Sequence, residues 1–517
     1  MADDVTHYDA VEAYCDRLSY LPGEGVQLHA WCAVDTYDVS VRRWSSDVSH
    51  TEPLWSATDL PGHAHPTPDN ADSHGCGWPA AVTIPTSSEW PSGMYLVTLH
   101  AHGAAHDRAY GYAMFVLRAK RPTGNPLLVL ATNTYNAYNN WGGRSLYTGG
   151  HQVSFDRPWG RGMLVRPHVD NLDRKSPVAA PGETADTDGV AYQAYRWEHG
   201  YPGYMSSAGW WTYERRFVEW AERNEIALDY AVSSDLELTP DVLNGYRLVI
   251  GAGHDEYWSA AQRDTLDAHI AAGGNYASFS GNTMFWQVRL SDSEAGRCRN
   301  MTAYKYSAHR ADPVVGSADQ HSMSGMWCDP LVGRPEWRSI GAGSAFGLYA
   351  RFGQATPRAA GGFTVYRDDH WMLEGTSLRY GDQLGGSHGA VGYETVGVRL
   401  GLDEYGLPYA AMPDAAPHTV IVAVAPASNL GEGDYPKSVA ASSDQCDLEF
   451  VAERLYGDTS TDSQRRVKYG NAVMLTCKPS GDAGGTVATI GTTDWVYALD
   501  DDQVSRVTAN VVRHLGG

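Results

Sequence analysis

The amino-acid sequence predicts an α/β plus all-β protein: an N-terminal β-sandwich over residues 1–120, then an open parallel-sheet α/β domain over 121–517. Three observations predict it. Apolar residues alternate with polar ones in the first part, strand segments become continuously apolar in the second, and helical segments fall between those later strands.

In the first part Val26, Leu28, Ala30 and Cys32 keep a period of two. Tyr37, Val39 and Val41 repeat it, as do Tyr95, Val97 and Leu99 after a Pro-Ser-Gly turn, and Ala113, Phe115 and Leu117 supply a further strand. Such alternation buries one face of each strand and wets the other, the pattern of a small sandwich. The His/Pro/Asp-rich loop 61–76 reads as an irregular insertion.

At Lys120-Arg-Pro-Thr-Gly the character changes. Leu127 to Leu130 is a short apolar run of the kind buried on both faces of a parallel sheet. A long loop rich in aromatics and glycine follows, and the stretch from Ser176 to Gly189 has a composition that builds no core, so it reads as disordered or lid-like. A helix is expected from Tyr213 to Asn224. Further strands are expected at 227–232, 246–250, 276–279 and 486–490, with helices at 258–270 and 503–515. Strand and helix in alternation is the order of an open α/β sheet. Insertions near 140–210 and 291–345, and an added β-rich region near 360–430, interrupt it.

Apolar residues at 43% and charged residues at 19% describe a folded chain. A formal charge of -22 repels polyanions and argues against nucleic acid or an anionic membrane as partner. No apolar run reaches membrane-spanning length, and the start Met-Ala-Asp-Asp carries no targeting pattern, so a cytoplasmic protein is expected. Seven scattered cysteines form no close pair, which favours buried thiols over a disulfide framework or a zinc knuckle.

The segment Tyr246-Arg-Leu-Val-Ile-Gly-Ala-Gly253 should end a buried strand at two glycines and deliver His254, Asp255 and Glu256 to the C-terminal edge of the sheet, where open α/β sheets bind ligands. The alternative is structural: Asp255 or Ser259 caps the next helix, Glu256 favours its dipole, and His254 bonds a neighbouring loop. Asn282 lies at the same edge if its strand is parallel. The loop from Asn133 to Tyr147 holds three tyrosines and four asparagines, more than a linker requires. It reads either as a carbohydrate-binding or packing surface, or as the source of a phenolate ligand, and ionising a phenol calls for a strong positive charge such as ferric iron. No His-Glu-x-x-His, phosphate-binding loop or Gly-x-Ser-x-Gly elbow is present and no cysteine occupies a strand-to-helix elbow, so a thiol or serine hydrolase is the weaker enzyme reading.

Seven stretches in order resemble the large (β) subunit of N,N-dimethylformamidase and its wider family over roughly residues 15–517. They are Asn133-Thr-Tyr-Asn-Ala-Tyr138, Gly253-His-Asp-Glu-Tyr-Trp258, Gly281-Asn282, Tyr304-Lys305, His370-Trp371 with Gly375-Thr376, Gly392-Tyr-Glu394 and Gly491-Thr-Thr-Asp-Trp495. The resemblance implies a glutamine-amidotransferase-like α/β core without cysteine chemistry. It also implies an amidase using mononuclear iron, Fe(3+), held by two tyrosine phenolates and a glutamate. Carried over motif by motif, it places the glutamate ligand on Glu256, one phenolate on Tyr138 and the active-site histidine on His254. The second phenolate stays among Tyr135, Tyr147, Tyr192 and Tyr195, with Tyr192 taken as the working choice. Asn282, Lys305 and Glu394 match polar residues that contact substrate or support the site. A small amide is the implied substrate, and a homo-oligomer, with or without a small accessory subunit, the implied assembly. The competing readings are a non-catalytic carbohydrate- or protein-binding module on the same scaffold, and a hydrolase using another divalent metal.

Overall fold

The computed structural model describes residues 7–48, 50–167, 169, 174–176, 178, 190–352, 361–436 and 446–517. Most of the 176–189 stretch expected to be lid-like lies outside the described residues.

The fold mixes sheets and helices. In the N-terminal part a three-stranded sheet (Val11–Cys15, Gly25–Cys32, Ala80–Pro85) and a five-stranded sheet built on Thr36–Arg43, Gly93–Ala101 and Tyr110–Leu117 share one apolar core. Inward residues such as Val26, Leu28, Val39, Val97 and Phe115 fill it, the same residues whose alternation marks the strands. The 61–76 loop contains a short helix, Ala71–His74.

The larger part is organised around an eleven-stranded sheet. Asp229–Val232, Leu127–Leu130, Leu248–His254, Asn275–Gly281 and Val487–Ile490 lie side by side in parallel. Beyond them the sheet turns antiparallel through Tyr469–Cys477 and Val420–Ser428 to Tyr349–Ala350 and Tyr393–Glu394. The expectation of an open parallel sheet therefore holds for five of its eleven strands. The β-rich region near 360–430 adds strands to the same sheet, because Val420–Ser428 pairs along its whole length with Tyr469–Cys477 and extends the hydrogen-bonded edge.

Two expected element boundaries shift. The strand expected to stop at Ile250 continues through both glycines to His254. A side chain at Gly251 would come within 2.7 Å of the Tyr276 hydroxyl, and one at Gly253, whose φ is 81°, within 2.2 Å of Tyr213 Cβ. The glycines serve close packing inside the strand more than a turn after it. The following helix is Ala260–Ala271, capped by Ser259 and Gln262 in a reciprocal box, so Tyr257 and Trp258 belong to a strand, Tyr257–Ser259. That strand joins Trp286–Ser293, Gly296–Thr302 and Gln152–Ser154 in a four-stranded sheet, which gives regular structure to part of the 291–345 insertion.

All seven cysteines are free and six are buried. Among the described residues no helix is long and apolar enough to cross a membrane.

Candidate active site

Five chain segments converge where Leu248–His254 and Asn275–Gly281 end. The segment after Leu127–Leu130, expected to be loop, folds into the short helix Thr132–Tyr138. Thr134 Oγ1 accepts the amide of Glu256 at 3.0 Å, and Asn133 Nδ2 donates to Tyr257 O and to Gln262 Oε1. These bonds fix the helix against the Asp255–Tyr257 bend and turn Tyr138 inward. Its hydroxyl donates to Glu256 Oε2 at 2.9 Å.

Tyr147 enters the same place. Its oxygen lies 2.7 Å from that of Tyr138, 2.9 and 3.0 Å from the two carboxylate oxygens of Glu256, and 2.7 Å from the hydroxyl of Tyr257. Lys305 closes this side: its ammonium lies 3.3 Å from the Tyr257 hydroxyl and 3.1 Å from the centroid of the Tyr147 ring. Tyr138, Glu256, Tyr257 and Lys305 are buried, while Tyr147 and the neighbouring Tyr204 are partly exposed and mark the solvent side.

On the other side of Glu256, His254 Nδ1 donates to Ser207 O at 2.6 Å, which fixes the ring and turns Nε2 toward the acids. Nε2 lies 2.6 Å from Glu394 Oε2 and 3.4 Å from Glu256 Oε2, the shorter approach being too oblique for a linear hydrogen bond. Asn282 Nδ2 donates to Glu394 Oε2 at 2.8 Å, and its Oδ1 is buried without a hydrogen-bond partner. Glu394 reaches the site because Gly281 has no side chain: a Cβ there would meet the Glu394 carbonyl oxygen at 2.0 Å. Thr493 Oγ1 accepts the Glu394 amide, so the Gly392-Tyr-Glu394 and Gly491-Thr-Thr-Asp-Trp495 stretches dock on each other.

Asn282 and Lys305 both hold left-handed backbone, with φ of 49° and 51°. Asn tolerates this conformation, but for Lys it costs on the order of 1 kcal/mol, strain of the kind that persists where surroundings over-determine a side chain's position.

The electrostatics follow from burial. Burial raises the Glu256 carboxyl to about 7 despite His254 and Lys305 nearby, and lowers the Lys305 ammonium to about 7 despite Glu256. Burial also pulls His254 down, but Glu394 and then Glu256 outweigh it and hold the imidazole up at about 9. For Glu394 burial pushes up, and the positive charge of His254 beside it, helped by the Asn282 hydrogen bond, prevails and leaves it below the usual range. The phenols of Tyr138 and Tyr147 rise well above 10 through burial and the adjacent Glu256. Without a cation between them both are neutral at ordinary pH.

The structure thus brings together His254, Glu256, Tyr138, Asn282, Lys305 and Glu394. It does not bring Tyr192 to them: that side chain lies on the helix Val190–His199, in a separate cluster with Tyr195, Tyr201 and Met205, and its hydroxyl faces Gly203 O at 3.4 Å. Tyr195 faces Pro167 O, and Tyr135 is buried beside Trp159 and Glu214. Of the four tyrosines considered for the second phenolate, Tyr147 alone touches Glu256. Tyr257 was missed, although it follows Glu256 directly; the signal available was its place in the same motif. The inward tyrosines of the 133–147 segment leave little of the aromatic surface that suggested a glycan platform. His370 and Trp371 serve elsewhere: Trp371 stacks on His514 of the C-terminal helix at 4.1 Å.

The family described as N,N-dimethylformamidase beta subunit-like, C-terminal, matches residues 36–509. The chain belongs to this family. A search of curated proteins found no match. Of the seven stretches quoted above, all but His370-Trp371 with Gly375-Thr376 meet at or directly behind the Glu256 cluster.

Proposed function

We propose that the chain is a metal-dependent hydrolase of a small linear amide, with ferric iron held by Tyr138, Tyr147 and Glu256. The observation that carries the reading is the crowding of oxygens: the Tyr147 oxygen has four others within 3.0 Å, from Tyr138, Tyr257 and both arms of Glu256, and one proton to share with them. Such a set fits a hard cation. Once the two phenol protons leave, two phenolates and a carboxylate supply three negative charges, matching a trivalent ion. When bound, that ion would supply Lewis acidity toward the amide carbonyl and toward water.

The chain's own residues account for the proton traffic. His254, held positive between Glu394 and Glu256, carries a proton at Nε2. Hydrolysis forms a carbon–oxygen bond from water and breaks the carbon–nitrogen bond, and the departing amine leaves only after it gains a proton. His254 supplies that proton and takes back the one the attacking water gives up, and Glu394 steadies the imidazole in both states. Asn282 fixes Glu394 through its amide N–H and offers its unpartnered Oδ1 to an N–H or O–H of an incoming molecule. Lys305 and Tyr257 hold Tyr147.

The reading includes a cytoplasmic location, which the seven unpaired thiols support. It also includes a multi-subunit assembly, for which the family's description as a beta subunit is the motive, with a homo-oligomer as the form the resemblance implies. Metal analysis and the visible spectrum of the purified protein test it together with turnover of formamides and short linear amides. A coloured, iron-containing, amide-cleaving protein is the expected result, and a folded protein that stays colourless and inactive after iron loading defeats the reading.

A further inference from the structure

We propose that the outer face of the N-terminal five-stranded sheet carries a separate site for a divalent transition-metal ion, with His100, His102 and Asp38 as ligands. Strands Thr36–Arg43 and Gly93–Ala101 pair antiparallel with Asp38 directly opposite His100. Val39, Leu99 and Ala101 are buried in the core, so the period of two sends Asp38, His100 and His102 to the solvent face. The His102 amide donates to Thr36 O at 3.1 Å, which extends the pairing one residue past the strand and keeps His102 on the side of His100.

The carboxylate is aimed by the backbone. An extra residue in Trp55–Pro61, opposite Asp38, breaks the register between Tyr37 and Val39, and Asp59 in that bulge adopts φ 54°. Its amide donates to Asp38 Oδ1 at 2.9 Å. Bulges re-aim side chains in this way. The same oxygen lies 2.9 Å from His102 Nε2. His100 stacks on Tyr110 with ring centroids 4.8 Å apart, which limits its rotation. One ligand atom from each of the three residues lies within 4.8 Å of the others.

A His–Asp pair alone accounts for His102 and Asp38 but not for a second imidazole nitrogen within 4.8 Å of both. Two imidazole nitrogens and one carboxylate oxygen select zinc, nickel or copper over calcium or magnesium, and three protein ligands leave further positions to water. The net charge of -22 favours cations at the surface generally, so selectivity separates a built site from a diffuse field.

Calorimetric titration of the full-length protein with Zn2+ tests the assignment, with Cu2+ electron paramagnetic resonance reporting nitrogen ligation. The wild type and Glu256→Gln should both bind Zn2+ at this site, and the His100→Ala/His102→Ala double variant should lose that binding while keeping its fold. Asp38→Asn should weaken it by at least about tenfold, the scale on which even an outer partner's loss is felt. Zinc uptake unchanged in the double variant overturns the proposal, as does equal competition by Mg2+ or Ca2+. Loss of the same binding event in Glu256→Gln would assign the ion to the buried centre and also overturn it.

Discussion

The hydroxyl of Tyr257 lies 2.7 Å from that of Tyr147, and Lys305 sets its ammonium 3.1 Å from the centroid of the Tyr147 ring. The Tyr257 hydroxyl donates to the Tyr147 oxygen, and neither Tyr257 nor Lys305 makes the same contact with Tyr138. The two phenols that meet Glu256 are therefore inequivalent. Tyr257→Phe removes the donor and leaves the oxygens of Tyr138, Tyr147 and Glu256 in place. The expected outcome is retained iron with the phenolate-to-iron absorption moved to longer wavelength, because a phenolate without its hydrogen bond is easier to oxidise. Difference spectra at matched iron content check this, and an unmoved band would show that Tyr257 does not act on the Tyr147 oxygen.

Glu256 and His254 stand two residues apart, and the proposed function gives them different work. Glu256→Ala should lose most of the bound iron, since the carboxylate is the group on which both phenols converge. His254→Ala should keep the iron and lower kcat by about 100-fold or more, the usual contribution of a positioned general acid. Iron content and turnover measured on the same preparations separate the two roles. Equal iron loss in both would move His254 into the ligand set.

How much of this was legible beforehand differs by element. The strand period around Val26 to Cys32 and the apolar run at Leu127 to Leu130 announced their strands, because burial on one face or two writes a local pattern. His254, Glu256 and Asn282 were legible because consecutive parallel strands put their C-terminal ends at one edge. Tyr147 was not singled out, because its arrival depends on how a segment of irregular backbone folds back, and the tyrosines in that part of the chain carry no periodicity to separate them. Glu394 came only through family resemblance: it crosses from a distant antiparallel strand at a contact that exists because residue 281 is glycine. The bulge that aims Asp38 leaves no trace in composition.

The choice between Tyr147 and Tyr192 can be made directly. Tyr147→Phe should bleach the visible band in part and weaken iron retention, whereas Tyr192→Phe should leave both unchanged, because its hydroxyl faces Gly203 O in a separate cluster. Absorption per bound iron is the measurement. Bleaching by Tyr192→Phe with none by Tyr147→Phe would reverse the assignment.

Glu214 gives a prediction on stability that is independent of any metal. It is buried beneath the start of the Thr132–Tyr138 helix, accepts the Ala131 amide at 3.2 Å, and has its carboxyl raised by burial to about 8. A carboxyl whose folded pKa lies above its unfolded value binds its proton more tightly in the native state. Its contribution is then full below about 4.5 and is lost as pH rises through about 8. Glutamine imitates the protonated form at every pH. Glu214→Gln should therefore match the wild type near pH 5 and exceed it at about pH 9, by no more than on the order of 3 to 5 kcal/mol. Urea unfolding at the two pH values checks the sign: a variant that is less stable at the higher pH would mean that the ionised carboxylate, held by the Ala131 amide, is the form the fold prefers.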